Sequence, residues 1–377
     1  MSQEAKDTAA NGTPGRPYIG GQAVIEGVMM RSPGSMSIVC RRRSGELVVR
    51  ERPIPTSPKG VRTWPLVRGV ATVVESLRLG SQALRWSAAL YEDDIRNEDQ
   101  GDPPPKKRAT NAAVSTALSI SAFMSIQGDE QPGSGPKDEK KGGLASILPI
   151  VFAVGLFVAA PQAGAEGLNK LFDLGLEVTS PGFQAITGAA KLLIVVGYLA
   201  LIRQIAEVRR VFQYHGAEHK TISTYEAREA LIVDNARQKT TMHPRCGTTF
   251  LVMVALVSII VFTVAGSFLP TLPGPRWFQS IGFFFMKLPF LPVVAAVTFE
   301  IQRVFARYCA TGPLRALLWP GFLVQKITTA EPDDDQLEVA LASLRATLWR
   351  EEALTAETPP DRVFADYEKL LADPGYA

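Results

Sequence analysis

One stretch of this sequence, Thr249 to Leu269, runs for 21 residues without a charged side chain. A helix needs about 20 consecutive apolar residues to cross the hydrocarbon core of a bilayer, because each residue adds only about 1.5 Å. The stretch therefore predicts a membrane-spanning helix. Every other part of the chain then has to be arranged relative to a bilayer.

Three further apolar segments predict additional spans. Residues 281–299 form one, interrupted by Lys287 and two prolines, and residues 144–160 and 185–202 are shorter and rich in Gly and Ala. Small residues let helices approach closely in lipid. A buried soluble hairpin is the alternative for the two shorter segments, but four apolar segments in one chain favour the membrane. Lys287 is expected to extend its ammonium group to the membrane surface or to pair with an acidic residue; the alternative is that it lines a polar cavity. Glu300 is either its partner or a carboxylate that faces the metal.

The distribution of basic residues predicts the orientation of these spans. The loop between the second and third spans is basic, whereas the loops on the other side contain only Lys170 and Arg276. By the positive-inside rule, the basic loop and both termini face the cytoplasm. The basic residues of that loop are Arg203, Arg209, Arg210, Lys220, Arg228, Arg237, Lys239 and Arg245.

The predicted fold class is mainly α, a polytopic membrane protein with about four transmembrane helices, a small N-terminal β unit and cytoplasmic helices. Ser44-Gly45 separates two β-prone runs as a hairpin turn does. The helix expected over residues 61–90 lies on the membrane or against the spans.

The sequence predicts five regions along the chain. Residues 1–17 are expected to be disordered, and residues 18–90 to form the β unit and an amphipathic helix. Residues 91–143 are a charged, largely disordered insert with a short helix at 112–126. The membrane domain covers residues 144–327, with a cytoplasmic His/Cys loop at 203–248, and residues 328–377 form a cytoplasmic helical tail.

Composition narrows the classes of function. The formal net charge is only +3, and we expect the lipid bilayer, not nucleic acid, as the principal partner. A membrane-protein partner or a homo-oligomer is also possible. The N-terminus lacks the apolar core of a secretory signal, and the three widely spaced cysteines indicate reduced thiols. We expect a multi-pass protein of the bacterial inner membrane with both termini cytoplasmic.

All three histidines of the chain fall between residues 215 and 243. A helix continuing the second span through residues 202–230 would place His215 and His219 on adjacent turns of one face. With Glu218 they form the pattern His-x-x-Glu-His, in which two histidines of inverted zinc hydrolases bind metal and the glutamate handles a water proton. The pattern predicts a divalent metal site, with zinc as the ion and Glu218 as the catalytic base.

A second pair of candidate ligands, His243 and Cys246, follows on a proline-containing turn. Four ligands would close the site and make it structural, whereas three would leave a position for a water molecule. The alternative is that the histidines only hydrogen-bond at an interface and the cysteine is packed. Glu226 is expected beside the ligands or at a second ion, and glycines near Glu26 and Arg31 would let these two residues approach the site.

Five blocks of the sequence carry a resemblance to a known family. They are IGGQAVIEGVMMRSP, LVRGVATVVESLRLG, RRVFQYHGAEHKTISTYEA, NARQKTTMHPRCGTTFL and PGFLVQKITTAEPDDDQLEVALASL. These blocks resemble the YqhQ-like family of bacterial membrane proteins, whose members carry the description of a predicted metal-dependent enzyme. The resemblance covers roughly residues 18–90 and 144–344. It implies a multi-span inner-membrane protein with metal ligands at the positions of the three histidines and Cys246.

Two hypotheses of function follow. The first is a metal-dependent enzyme, a hydrolase, with its site at the cytoplasmic face and His215, His219 and His243 as principal ligands. The second is a non-catalytic membrane scaffold or assembly factor in which a metal staples the loop to the helices. A small transporter is a weaker third, because intramembrane charges are too sparse to trace a pathway.

The predicted topology can be tested with reporter fusions. A fluorescent protein that matures only in the cytoplasm should fluoresce when fused after Ala377 and stay dark when inserted after Pro273, between the last two spans. Alkaline phosphatase, which is active only outside the cytoplasm, should give the reverse pattern. Two fusions with the same sign of activity would contradict the predicted topology.

Overall fold

The computed structural model describes residues 16–54, 64, 66–99, 155–266, 268–270, 272–308, 313–353, 357–374 and 376. Several predicted features therefore lie wholly or mostly outside the described residues: the disordered N-terminus, most of the insert 91–143 with its helix at 112–126, and most of the first predicted span, 144–160.

The strands form one antiparallel sheet whose order follows the chain. The predicted hairpin at Ser44-Gly45 is confirmed: Gly45 has a φ of +96°, which favours glycine, and its N–H donates to the carbonyl of Arg42. The last strand comes from the C-terminal tail, which was predicted to be helical. The strands are β1 (Gly20–Val24), β2 (Gly27–Arg31), β3 (Ser35–Arg41), β4 (Leu47–Pro53) and β5 (Arg362–Phe364).

Helices dominate the remainder of the described chain, as predicted. They are α1 (Val67–Asp99), α2 (Ala160–Leu171), α3 (Pro181–Ile202), α4 (Ala206–Glu226), α5 (Val233–Arg237), α6 (Gly247–Gly266), α7 (Arg276–Lys287), α8 (Leu291–Tyr308), α9 (Trp319–Thr328), α10 (Asp334–Ala353) and α11 (Tyr367–Leu371). A π-helical turn (Gly155–Ala159) precedes α2, and 3₁₀ turns precede α8 (Leu288–Phe290) and α9 (Pro313–Leu318).

Three helical segments of the described chain are long and apolar enough to cross a membrane: α3, α6 and the nearly continuous Phe278–Phe305. Large apolar side chains on them stay uncovered by protein; Leu193 is 73% and Ile260 65% exposed. Such surfaces suit contact with lipid tails. Three of the four predicted spans therefore have the required helix, and the fourth is not established.

The sheet lies between two layers of helix. On one face, Val28, Val39 and Val49 join a core with residues of α4 and α10. On the other face, Met29, Ile38 and Cys40 pack with Ala83 and other residues of α1. The alternation of side chains along each strand divides these two cores. The sheet thus fixes α4, which carries the two neighbouring histidines.

Helix α1 connects the sheet to the membrane helices. Near its start, Arg68 donates two hydrogen bonds to Glu300 of α8, and Gly69 faces Phe299. This places the first half of α1 against a span, one of the two predicted locations. The helix continues to Asp99, beyond the predicted end at residue 90 and into the segment predicted to be largely disordered.

The predicted continuation of the second span through residues 202–230 is wrong. Helix α3 ends at Ile202, and α4 begins at Ala206 after an extended Ile205. In the break, the Arg203 guanidinium donates to main-chain carbonyls of Lys326 and Ile327 at the end of α9. The interaction ties the turn to α9, so α4 packs on the sheet and is not an extension of the membrane helix.

Candidate metal centre

Helix α4 presents His215 and His219 on adjacent turns, as predicted, with ring centroids 4.5 Å apart. The helix packs against β1 and α10, and Tyr214, Ala217 and Ile222 enter the core on that side. His219 is therefore only 1% exposed. At such burial, each polar ring atom requires a partner.

One nitrogen of each ring is bound to a main-chain carbonyl. His215 Nδ1 lies 2.8 Å from the Thr328 oxygen, and His219 Nδ1 lies 2.5 Å from the Thr241 oxygen. A carbonyl oxygen can only accept, so both Nδ1 atoms donate. In the neutral form of each ring, Nε2 then carries no proton and can bind a metal ion. Metal-binding histidines are commonly oriented in this way, by a hydrogen bond from the other ring nitrogen.

Cys246 completes a compact cluster with these two rings. Its Sγ lies 3.1 Å from His215 Nε2, and the ligand atoms of His215, His219 and Cys246 all lie within 4.8 Å of one another. His219 Nε2 is buried and has no hydrogen-bond partner in the described part of the chain. Donor atoms around one tetrahedral zinc ion lie roughly 3.3–3.6 Å apart. The cluster therefore fits a small thiophilic cation with modest adjustment.

The protonation of the cluster follows from its composition. Burial raises the pKa of Cys246, but the neighbouring charges of His215 and His219 and the hydrogen bond with His215 outweigh it, so the pKa of the thiol lies well below its usual value. Burial lowers the pKa of His215, but the Cys246 thiolate more than compensates and raises it to about 9. Each of these two shifts favours the charged form, a thiolate at Cys246 and an imidazolium at His215.

Glu218 lies on α4 between the two histidines in sequence and is 5% exposed. Burial raises the pKa of its carboxyl, while the neighbouring histidines act in the opposite direction. The strand β1 covers it closely: a Cβ atom on Gly21 would lie 2.8 Å from Glu218 Cγ and Oε1. The absence of a side chain at Gly21 thus lets β1 lie directly against Glu218.

His243 lies beside the cluster, with its ring centroid 5.7 Å from that of His219, but its ring nitrogens have other partners. Its Nδ1 accepts from the Arg245 N–H at 3.4 Å, and its Nε2 lies 3.4 Å from Glu226 Oε2. Glu226 also pairs with the Arg245 guanidinium. Burial lowers the pKa of His243 to about 4, so the ring is neutral at pH 7. The structure groups two histidines and the cysteine, with His243 and Glu226 adjacent.

Sequence reasoning did not identify Gln325, which holds the turn containing His243 and Cys246. Gln325 on α9 is fully buried; its Oε1 accepts from the His243 N–H, and its Nε2 donates to the His243 carbonyl and to Thr249 Oγ1. A single glutamine in an amphipathic helix carries no signal of this role. Its three bonds fix the position of the turn relative to α6.

The remaining candidates of the sequence analysis lie elsewhere. Glu26 accepts two hydrogen bonds from Arg210 and one from Tyr214, so it anchors the preceding turns of α4. Arg31 lies on β2, with its Nε 3.7 Å from the Cβ position of Gly20. Neither belongs to the group of ligand atoms.

The comparisons with known proteins identify relatives without an assigned activity. A family model described as "Protein of unknown function (DUF1385)" matches residues 64–350. The chain is similar to the uncharacterized protein YqhQ of Bacillus subtilis (strain 168), at 29% identity over 343 residues, which is 90% of this chain and 95% of that protein. No solved structure matches the chain. The resemblance to the YqhQ-like family is confirmed.

The packing of α4 predicts a contrast between two glycines. A Cβ at Gly216 would lie 2.2 Å from the Ala330 carbonyl, two residues beyond the carbonyl that holds His215, whereas a Cβ at Gly197 in α3 meets nothing within 4 Å. We expect Gly216→Ala to reduce the free energy of unfolding by about 1–3 kcal/mol through overpacking. Gly197→Ala should be neutral or slightly stabilising, because alanine favours the helix.

Thermal unfolding of both purified variants in the same detergent measures the difference. Equal midpoints for the two variants would contradict the close packing at Gly216.

Proposed function

The chain belongs to the DUF1385 family of proteins of unknown function, and we propose that it is a metal-dependent membrane enzyme, a hydrolase with its site at the cytoplasmic face. The proposed ligands are His215, His219 and Cys246, with zinc as the ion. His243, a principal ligand in the sequence-based hypothesis, becomes a neighbour of the ion or a fourth ligand reached by a small rearrangement.

The observation that carries this proposal is the convergence of three potential ligand atoms in a buried place. Two Nε2 atoms, freed by hydrogen bonds at Nδ1, face one thiol sulfur. His219 Nε2 has no partner among the described residues, which is costly for a buried polar atom. Nitrogen and sulfur together form the ligand set that zinc accepts readily, and three ligands leave one position open.

The residues around the cluster suit hydrolysis. Zinc, when bound, would supply Lewis acidity toward the substrate and the water molecule. Glu218 would accept the proton of that water, because burial raises the pKa of its carboxyl toward the range in which a general base works well. Arg245, paired with Glu226 beside His243, provides a positive charge next to the site.

The proposed substrate is a lipid-linked or peptide group presented at the membrane surface. Cys246 immediately precedes α6, one of the helices that could span the membrane, so the cluster lies next to the bilayer end of that helix. The basic residues of the same loop support a location on the cytoplasmic side of the bacterial inner membrane, with both termini inside. A homo-oligomer or a membrane-protein partner is compatible with this arrangement.

The alternative function is a scaffold with a structural metal. The cluster joins three separate segments, since α4 supplies the histidines, the turn before α6 supplies Cys246 and the end of α9 supplies the Thr328 carbonyl. An ion there would hold these segments together even without any reaction. The two proposals share the metal and differ in the role of Glu218.

Metal analysis of the purified protein tests the ligand set. We expect about one zinc per chain in the wild type, and loss of metal in the ligand variants because each removes one of three donors. The control, His243→Ala, should keep the metal, since the His243 nitrogens are directed elsewhere. The ligand variants are His215→Ala, His219→Ala and Cys246→Ala.

Retention in Cys246→Ala with loss in His243→Ala would favour a site of three histidines. A wild type without metal after growth and purification with zinc would contradict both proposals.

Replacing Glu218 by Gln separates the enzyme from the scaffold. The variant should keep fold and metal but lose at least about 100-fold in rate, because the amide cannot accept the proton. The control is Glu207→Gln, an exposed glutamate on the same helix. Rates on chromogenic esters, phosphoesters and peptides, together with rescue of a deletion strain, give the readout. Full rescue by Glu218→Gln would favour the scaffold.

A further inference from the structure

Helix α9 contacts one end of each described helical segment that could span the membrane. Arg203, directly after α3, donates to two main-chain carbonyls near the end of α9. A Cβ on Gly321 would lie 2.5 Å from Thr249 Cγ2, in the first turn of α6. Phe305, the last residue of the third segment, packs against the buried Phe322. A helix that spans the bilayer ends at its surface, so these contacts place α9 there as well.

The contacts follow one another along α9. Those with α6 and the third segment involve its first turn, whereas the carbonyls that bind Arg203 belong to Lys326 and Ile327 near its other end. Its 10 residues extend about 15 Å, which exceeds the roughly 8–10 Å between the axes of packed helices. Helix α9 is therefore long enough to extend from one span to the next.

One face of α9 is exposed and carries large apolar side chains. Trp319 is 56% and Leu323 is 52% exposed, and Lys326 is exposed as well. Residues four and three positions apart lie on one face of a helix, so these three side chains form a stripe. Gln325 and Thr328, which position the His/Cys cluster, are on the buried side. Tryptophan is enriched where a protein crosses from lipid to water.

The span ends that α9 contacts are themselves exposed and apolar. Leu201, two residues before Arg203, is 69% exposed, and Leu251, two residues after Thr249, is 59% exposed. Such side chains suit contact with acyl chains. The exposed face of α9 thus belongs to a helix that is packed on lipid-facing helix ends.

Basic residues accompany the apolar stripe. Residues 313–328, which include α9 and the turn before it, contain Arg315 and Lys326 and no acidic residue. Both basic side chains are exposed, and the Arg315 guanidinium lies over the ring of Phe322, 5.5 Å from its centroid. Anionic headgroups attract lysine and arginine at the membrane surface. An apolar face flanked by basic residues is typical of a helix that lies in the interface.

We propose that the exposed face of α9 binds anionic phospholipids. Trp319 and Leu323 contact the glycerol region and the first part of the acyl chains, and Arg315 and Lys326 contact the phosphate groups. In the predicted topology these lipids belong to the cytoplasmic leaflet. The binding surface consists of residues outside the proposed metal centre and does not require a metal.

Fluorescence quenching in lipid nanodiscs tests whether Trp319 contacts lipid. The full-length protein is placed in phosphatidylglycerol discs, with or without bromine near the carboxyl end of the acyl chains. The emission that disappears in Trp319→Phe is the Trp319 component, and bromine should quench most of it because the ring lies at that depth. The matched control is Trp349→Phe. Trp349 lies on α10 with its ring 5.9 Å from that of Tyr376, and its component should be quenched little.

A second set of discs tests the preference for anionic lipid. The discs contain equal amounts of phosphatidylglycerol and phosphatidylcholine, and only one of the two lipids is brominated. We expect brominated phosphatidylglycerol to quench the Trp319 component at least about twofold more than brominated phosphatidylcholine, because the basic residues concentrate anionic lipid. In Arg315→Gln/Lys326→Gln the ratio should fall to about one. Lys170→Gln, an exposed lysine on α2, should keep the wild-type ratio.

High salt provides a test with the native charges in place, which remains informative if the glutamine variant does not fold. It should lower the wild-type ratio, because it screens the attraction between exposed charges. A Trp319 component without quenching would mean that this face meets water or a second copy of the chain, and it would overturn the proposal. Equal quenching by the two brominated lipids at low salt would overturn it as well.

Discussion

The burial of α4 between the sheet and the end of α9 is the constraint on which the rest of the structure depends. On one side, Tyr214 and Ile222 enter the core with β-strand side chains. On the other side, the absence of a side chain at Gly216 lets the main chain at Ala330 approach closely. A helix buried on two sides cannot leave polar side chains to water, so His215, Glu218 and His219 have to be satisfied within the protein.

Within the described part of the chain, some polar atoms of these side chains have hydrogen-bond partners and at least one does not, and this difference points to function. The Nδ1 atoms have carbonyl partners, and the turn of His243 is fixed by Gln325. The Nε2 atom of His219 remains unsatisfied among the described residues. The His219 ring is held firmly at Nδ1, but its buried Nε2 has no partner in that part of the chain, and this lowers the stability of the folded protein. A cation between the two rings and the thiol would remove that cost.

The sequence by itself determined the membrane helices, the β hairpin, the spacing of His215 and His219, and the proximity of Cys246 to a span. Hydrophobic length and helical periodicity are local properties, so they can be read from neighbouring residues. Only the tertiary structure decided that α4 departs from α3 after Arg203, that His243 faces Glu226 while Cys246 faces the two histidines, and that Gln325 and Thr328 position the site. These outcomes depend on contacts between residues more than 80 positions apart, or on the direction of a side chain in a turn, and local pattern carries no information about either.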